Sequence, residues 1–128
     1  MLHARYGWRI IDFEGEPARA RHERRALGHP IRDLAGMLRS FAYVAAVASR
    51  DEPGAQPAAW EQTLRAAFLR GYDPTFASDP ERTRLLALFE TERLFYELSY
   101  ELGSRPDWAW IPIAGITRMA TARSTALI

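Results

Sequence analysis

The sequence contains no cysteine. That excludes disulfides, iron–sulfur clusters and thiol nucleophiles, and it fits a cytoplasmic protein. No stretch approaches the roughly 18 uncharged apolar residues that a membrane span requires. The N-terminus, Met1-Leu2-His3-Ala4-Arg5, lacks the apolar core of a signal peptide. An excess of charge of one sign is also missing. Seventeen basic against sixteen acidic side chains leave a net charge of +1, with no general pull toward nucleic acid or an anionic membrane. The three histidines, His3, His22 and His29, are not spaced as metal ligands. No serine sits in a G-x-S-x-G elbow, so nucleophilic catalysis has no candidate. Internal repeats and low-complexity segments are absent as well.

What is present is an ordinary globular chain of 128 residues, 48% hydrophobic and 26% charged. A chain of this length folds as one domain and buries about two-thirds of its unfolded surface. Residues 1–14 alternate as strand around Arg5-Tyr6-Gly7 and predict a β-hairpin. Residues 15–30 carry Gly15, Pro17, Gly28 and Pro30 and read as loop. From 31 to 49, Leu34, Met37, Leu38, Phe41, Val44 and Ala45 recur at helical steps. A second helix is expected over 58–72, with Trp60, Leu64, Ala67 and Phe68 inward. Asp79-Pro80 opens a third, a side-chain cap followed by proline in the first turn. It runs to Leu102, with Gly103 as terminator and Leu85, Leu88, Phe89, Leu94, Phe95, Leu98 and Leu102 as core stripe. A short helix is expected over 112–122. The fold class is mainly α with one N-terminal hairpin, and a two-stranded hairpin must lie on something to be stable.

Three groups of residues bear on function. Asp12 and Glu14 lie two apart in a strand, so their carboxylates share one face. Paired carboxylates grip Mg²⁺; an acidic strand end at the surface has the same pattern, and the pattern alone favours that. The basic run "RARHERR", 19–25, contains Glu23 and reads as solvated. In "LLALFETERLFYELSYELGSRPDWAW", Tyr96 and Tyr100 stand one turn apart with Glu97 and Glu101 beside them. Rings beside acids suit a sugar, whose C–H faces and hydroxyls they cover. Core aromatics and surface ion pairs, Arg93 with Glu97 and Arg105 with Glu101, give the same spacing. Trp108 and Trp110 fit the packing of a chain end.

Five segments in order, "IDFEGEP", "ERR", "IRDLAGMLRSF", "FETERLFYELSYEL" and "RPDWAWIPIAGI", resemble the C-terminal part of bacterial maltokinases, a region also found fused to trehalose synthase. The resemblance runs from about Gly7 to Ile116. It implies the helical C-lobe of a protein-kinase-like fold, of the aminoglycoside-phosphotransferase branch, across 1–128: a hairpin at 1–14, a loop at 15–30 and a helical subdomain from 31 on. It implies ATP and Mg²⁺ as cofactors, maltose or a related sugar as acceptor and maltose 1-phosphate as product. Asp12 matches the aspartate that holds Mg²⁺ against the phosphates, and Glu14 replaces the glycine of that motif. Asp33 matches an aspartate that supports the catalytic loop. Tyr96 and Tyr100 match positions lining the sugar pocket, with Glu97 and Trp108 adjacent. The family's H-G-D-x-H-x-G-Q loop, with its base, and its ATP-binding lysine have no match in these residues. The expectation is a chain without turnover of its own, partnered by an upstream kinase lobe or a trehalose synthase domain. A non-catalytic helical module that binds a sugar or a protein is the alternative.

Overall fold

The computed structural model describes residues 2–9, 20–25, 27–52 and 56–125. The order is β1 (Leu2–Ala4), β2 (Gly7–Arg9), α1 (Arg21–Arg25), α2 (Ile31–Asp51), α3 (Pro57–Tyr72), α4 (Pro80–Ser104) and α5 (Trp110–Thr125). One-turn 3-10 segments, Phe76–Ser78 and Pro106–Trp108, precede α4 and α5. The protein is mainly α, as expected. No helix of the described residues is long and apolar enough to cross a membrane.

β1 and β2 pair antiparallel, Leu2 with Arg9 and Ala4 with Gly7. Arg5 and Tyr6 form the turn. Gly7 follows it at φ 110°, a conformation that costs glycine little and other residues more. The stretch expected as loop throughout holds α1. Glu23, read as part of a solvated charge run, caps that helix: its Oε2 accepts the Ala20 N–H at 2.9 Å. Five residues are too few for any apolar period to show.

The helices start where their caps say. Asp79 Oδ1 accepts the N–H groups of Glu81 and Arg82 at 3.0 and 3.1 Å, and Pro80 occupies the first turn. Helix α4 does not stop at Gly103. The Arg105 N–H reaches the Glu101 carbonyl at 2.7 Å, and the Arg105 side chain ties to the Glu101 carboxylate. Helix α5 is longer than expected at both ends.

The core is built from Ile31, Leu34, Ala35 and Leu38 of α2, Leu86 of α4, and Phe76, with Phe41, Phe68, Leu69, Leu85 and Phe89 packed against them. Phe76 projects from its 3-10 turn into this core. Arg82 lies over its ring at 4.6 Å and Tyr72 meets it edge-on. Burying such a ring stabilises by about 1.5–3 kcal/mol. Ala35, Ala42 and Arg39 are buried on α2 while Val44 is exposed, and Trp60 and Ala67 of α3 face solvent. On α4, Leu88, Phe95 and Leu102 point outward rather than into the core. The physical reason is that α4 carries apolar residues around most of its circumference but packs on only part of it. α2 takes the side with Leu86, and α5 takes the side with Leu94, whose methyl lies against Gly115.

Candidate functional site

Helices α2 and α4 run in the same direction, and the contacts along their seam rise in step. Arg32 pairs with Glu92, Arg39 with Glu97, and Tyr43 with Glu101. Arg39 and Tyr43 stand one turn apart on α2, and Glu97 and Glu101 one turn apart on α4. Their side chains therefore meet as two rungs of one ladder.

In the first rung Arg39 Nη2 donates to Glu97 Oε2 at 2.8 Å, and Nε lies 3.3 Å from both carboxylate oxygens. Arg39 is 6% exposed and Glu97 14%. In the second, Glu101, 2% exposed, accepts Tyr43 Oη at 2.5 Å and Arg105 Nε and Nη2 at 2.9 and 2.6 Å. These three hydrogen bonds satisfy a carboxylate that burial has taken out of water. Burial first, and the hydrogen bond to Glu101 second, push the Tyr43 phenol well above its ordinary value, so it remains a donor. The same carboxylate holds Arg105 firmly in its charged form.

Aromatic rings extend from the ladder. Tyr96 and Tyr100 stack with centroids 6.5 Å apart and planes 17° apart. Trp108 stacks on Tyr43 at 6.0 Å and 11°. The Arg105 guanidinium lies 5.8 Å from the Tyr100 ring and 5.1 Å from that of Trp108, linking the two stacks. Arg50 covers Trp108 from 5.4 Å, and Arg93 covers Tyr96 from 5.5 Å. Tyr100 is 40% exposed and Tyr96 half-buried. Neither is sealed in the core, where Phe41 instead meets Phe68 edge-on at 5.8 Å.

The four residues singled out for a sugar, Tyr96, Glu97, Tyr100 and Trp108, thus fall in one region of the α2–α4 face. Their states differ. The tyrosines are partly exposed with Arg93 over Tyr96 and Arg105 over Tyr100, Glu97 is taken up by Arg39, and Trp108 is stacked on Tyr43. Sequence reasoning missed Arg39, Tyr43 and Arg50. Arg39 and Tyr43 carried a usable signal, since an Arg and a Tyr four apart on one helix match two glutamates four apart on another. Asp33 is exposed in the first turn of α2, where its charge complements the helix N-terminus.

Asp12 and Glu14, expected to hold Mg²⁺, lie outside the described residues, as do Ile10 and Phe13. Among the described residues no three His, Cys, Asp or Glu side chains are grouped to hold a metal ion. The residues implied as holders of Mg²⁺ are not among those described, and no chemical step is assigned to that group. A cavity of about 290 Å³ lies where the ends of α2, α3 and α4 converge, lined by His29, Ile31, Tyr72, Glu81, Arg82 and Leu85 among others, apart from the aromatic stacks.

No protein-family model matches the chain. It is 27% identical over 130 aligned residues to a glucosamine kinase of Streptacidiphilus jiangxiensis. The alignment covers 96% of this chain and 30% of that protein. The chain is distantly related to a sugar kinase. It spans under a third of that relative's length.

Proposed function

We propose that this chain is the acceptor-side, helical C-terminal part of a maltokinase-type sugar kinase, in which ATP phosphorylates the anomeric hydroxyl of maltose. The observation that carries the reading is the pair of stacked, partly open tyrosines, Tyr96 and Tyr100, on a chain related to a sugar kinase. Each ring offers an apolar face and a hydroxyl to a pyranose. Glu97 and Trp108, fixed by Arg39 and Tyr43, form the wall beside them. Glucosamine, the sugar in the relative's name, is the competing acceptor. ATP and Mg²⁺ belong to the complete enzyme, with Asp12 and Glu14 as metal ligands and Asp33 as support of the catalytic loop. The upstream kinase lobe supplies the base, alone or with a trehalose synthase domain. A non-catalytic, protein-binding module is the second reading, favoured by the exposed apolar residues of α4.

A chimera tests the first reading. This chain replaces the matching segment of the glucosamine kinase, and phosphoryl transfer to maltose and to glucosamine is followed. Activity is expected, with Tyr100→Ala raising KM for the sugar and leaving KM for ATP unchanged. A chimera that binds ATP but phosphorylates neither sugar contradicts the reading. So does a Tyr100→Ala effect on ATP alone.

A further inference from the structure

Glu101 is almost fully buried, so its carboxylate is not a surface that a sugar can touch. Its hydrogen bonds go to the Tyr43 hydroxyl and to Nε and Nη2 of Arg105. Both partners carry that hold outward to aromatic rings. Tyr43 stacks on Trp108 with planes 11° apart. The Arg105 guanidinium stands 5.8 Å from the centre of the Tyr100 ring and 5.1 Å from that of Trp108, within the reach of a cation–π contact. Tyr100 in turn stacks on Tyr96. One buried carboxylate thus stands behind the three rings Tyr96, Tyr100 and Trp108.

The Tyr43 bond joins α2 to α4. The Arg105 bonds join no two elements. Arg105 follows Glu101 by four residues at the C-cap of the same helix, where a pair of this spacing adds little stability. Their effect is on the arginine. Its side chain is 48% exposed, and an exposed arginine ordinarily samples many rotamers. Two N–H bonds to one carboxylate select a single placement. That placement sets the guanidinium against both Tyr100 and Trp108.

We infer that Glu101 is a positioning residue of the sugar face. Without touching the sugar, it holds Arg105 against Tyr100 and Trp108 and so fixes how these rings meet a pyranose. This role rests on the sugar reading of Tyr96 and Tyr100.

NMR of the 128-residue chain tests it, first by the ring signals of the sugar-free protein and then by titration with maltose and with glucosamine. Glu101→Gln keeps the shape of the side chain and removes its charge. It is expected to shift the ring signals of Tyr100 and Trp108 while the amides of α3 stay in place. Sugar binding is expected to weaken about fivefold, or 1 kcal/mol. Arg105→Gln, a change at a half-exposed side chain, should do the same. The double variant should bind no more weakly than either single one, because Glu101 acts through Arg105. A purely structural carboxylate would lower the melting temperature and leave the affinity of the folded protein alone. Affinity or ring signals unchanged in Glu101→Gln overturn the inference, as do losses that add in the double variant. If Glu101→Gln does not fold, Arg105→Gln decides alone, and an unchanged affinity there overturns the role. A wild type that binds neither sugar contradicts the sugar reading itself and this role with it. A wild type that binds, beside variants that bind equally well, contradicts the role alone.

Discussion

Arg39 of α2 and Glu97 of α4 form an ion pair at 2.8 Å, 58 residues apart in sequence and shielded on both sides from solvent. Such a pair gains little overall, because desolvation offsets the attraction, but losing one partner strands a buried charge. Arg39→Met is expected to destabilise the chain by about 3 kcal/mol or more, and Arg39→Met with Glu97→Met to recover most of that loss. Urea unfolding of the two variants checks this. A double variant as unstable as the single one would mean that the pair is not the source of the loss.

Gly115 is where α5 meets α4. A methyl group there would lie 2.6 Å from Leu94 Cδ2, and Leu94 is buried. Gly115→Ala is therefore expected to cost about 1–3 kcal/mol as overpacking. Combined with Leu94→Ala, which removes the obstructing methyls, it should cost less than the sum of the two single changes. Strict additivity in thermal melts would contradict the close approach.

Asp73 gives a pH signature. The Arg82 hydrogen bond first, then the Thr75 hydroxyl and N–H, lower its carboxyl from 3.8 to about 2. A depressed carboxyl contributes stability in full above its unfolded value and loses it as pH falls toward its folded value. The melting-temperature gap between the wild type and Asp73→Asn should be constant above pH 3.8 and shrink from there to pH 2. Other carboxylates titrate in both proteins and cancel. A gap unchanged at pH 2 would show that the Arg82 contact does not hold in solution.

Much of the fold was legible because its signals are local. Asp79-Pro80 announced α4, and the apolar period announced α2 and α3. The misses have physical causes. Gly103 reads as a terminator, yet the Glu101–Arg105 contact carries the helix past it. The period of α4 showed a helix but not which of its apolar sides is covered, because that depends on where α2 and α5 lie. The same holds for the site. Tyr96 and Tyr100 were readable as one face. The capture of Glu97 by Arg39, a helix away, was not, because Arg93 offered a nearer partner in sequence. Asp12 and Glu14 fall outside the described residues.

The central claim is that Tyr96 and Tyr100 face a sugar. Isotope-edited NMR titration of the isolated chain with maltose, and in parallel with glucosamine, tests it most directly. A hexose or disaccharide on two partly exposed rings is expected to bind with a dissociation constant on the order of millimolar. The amides of α4 around Tyr96 and Tyr100 should shift with one of the two sugars. Tyr100→Ala should weaken that binding about tenfold, or 1.4 kcal/mol, and leave the rest of the spectrum folded. Silence of these resonances toward both sugars, or binding that survives Tyr100→Ala unchanged, would contradict the account.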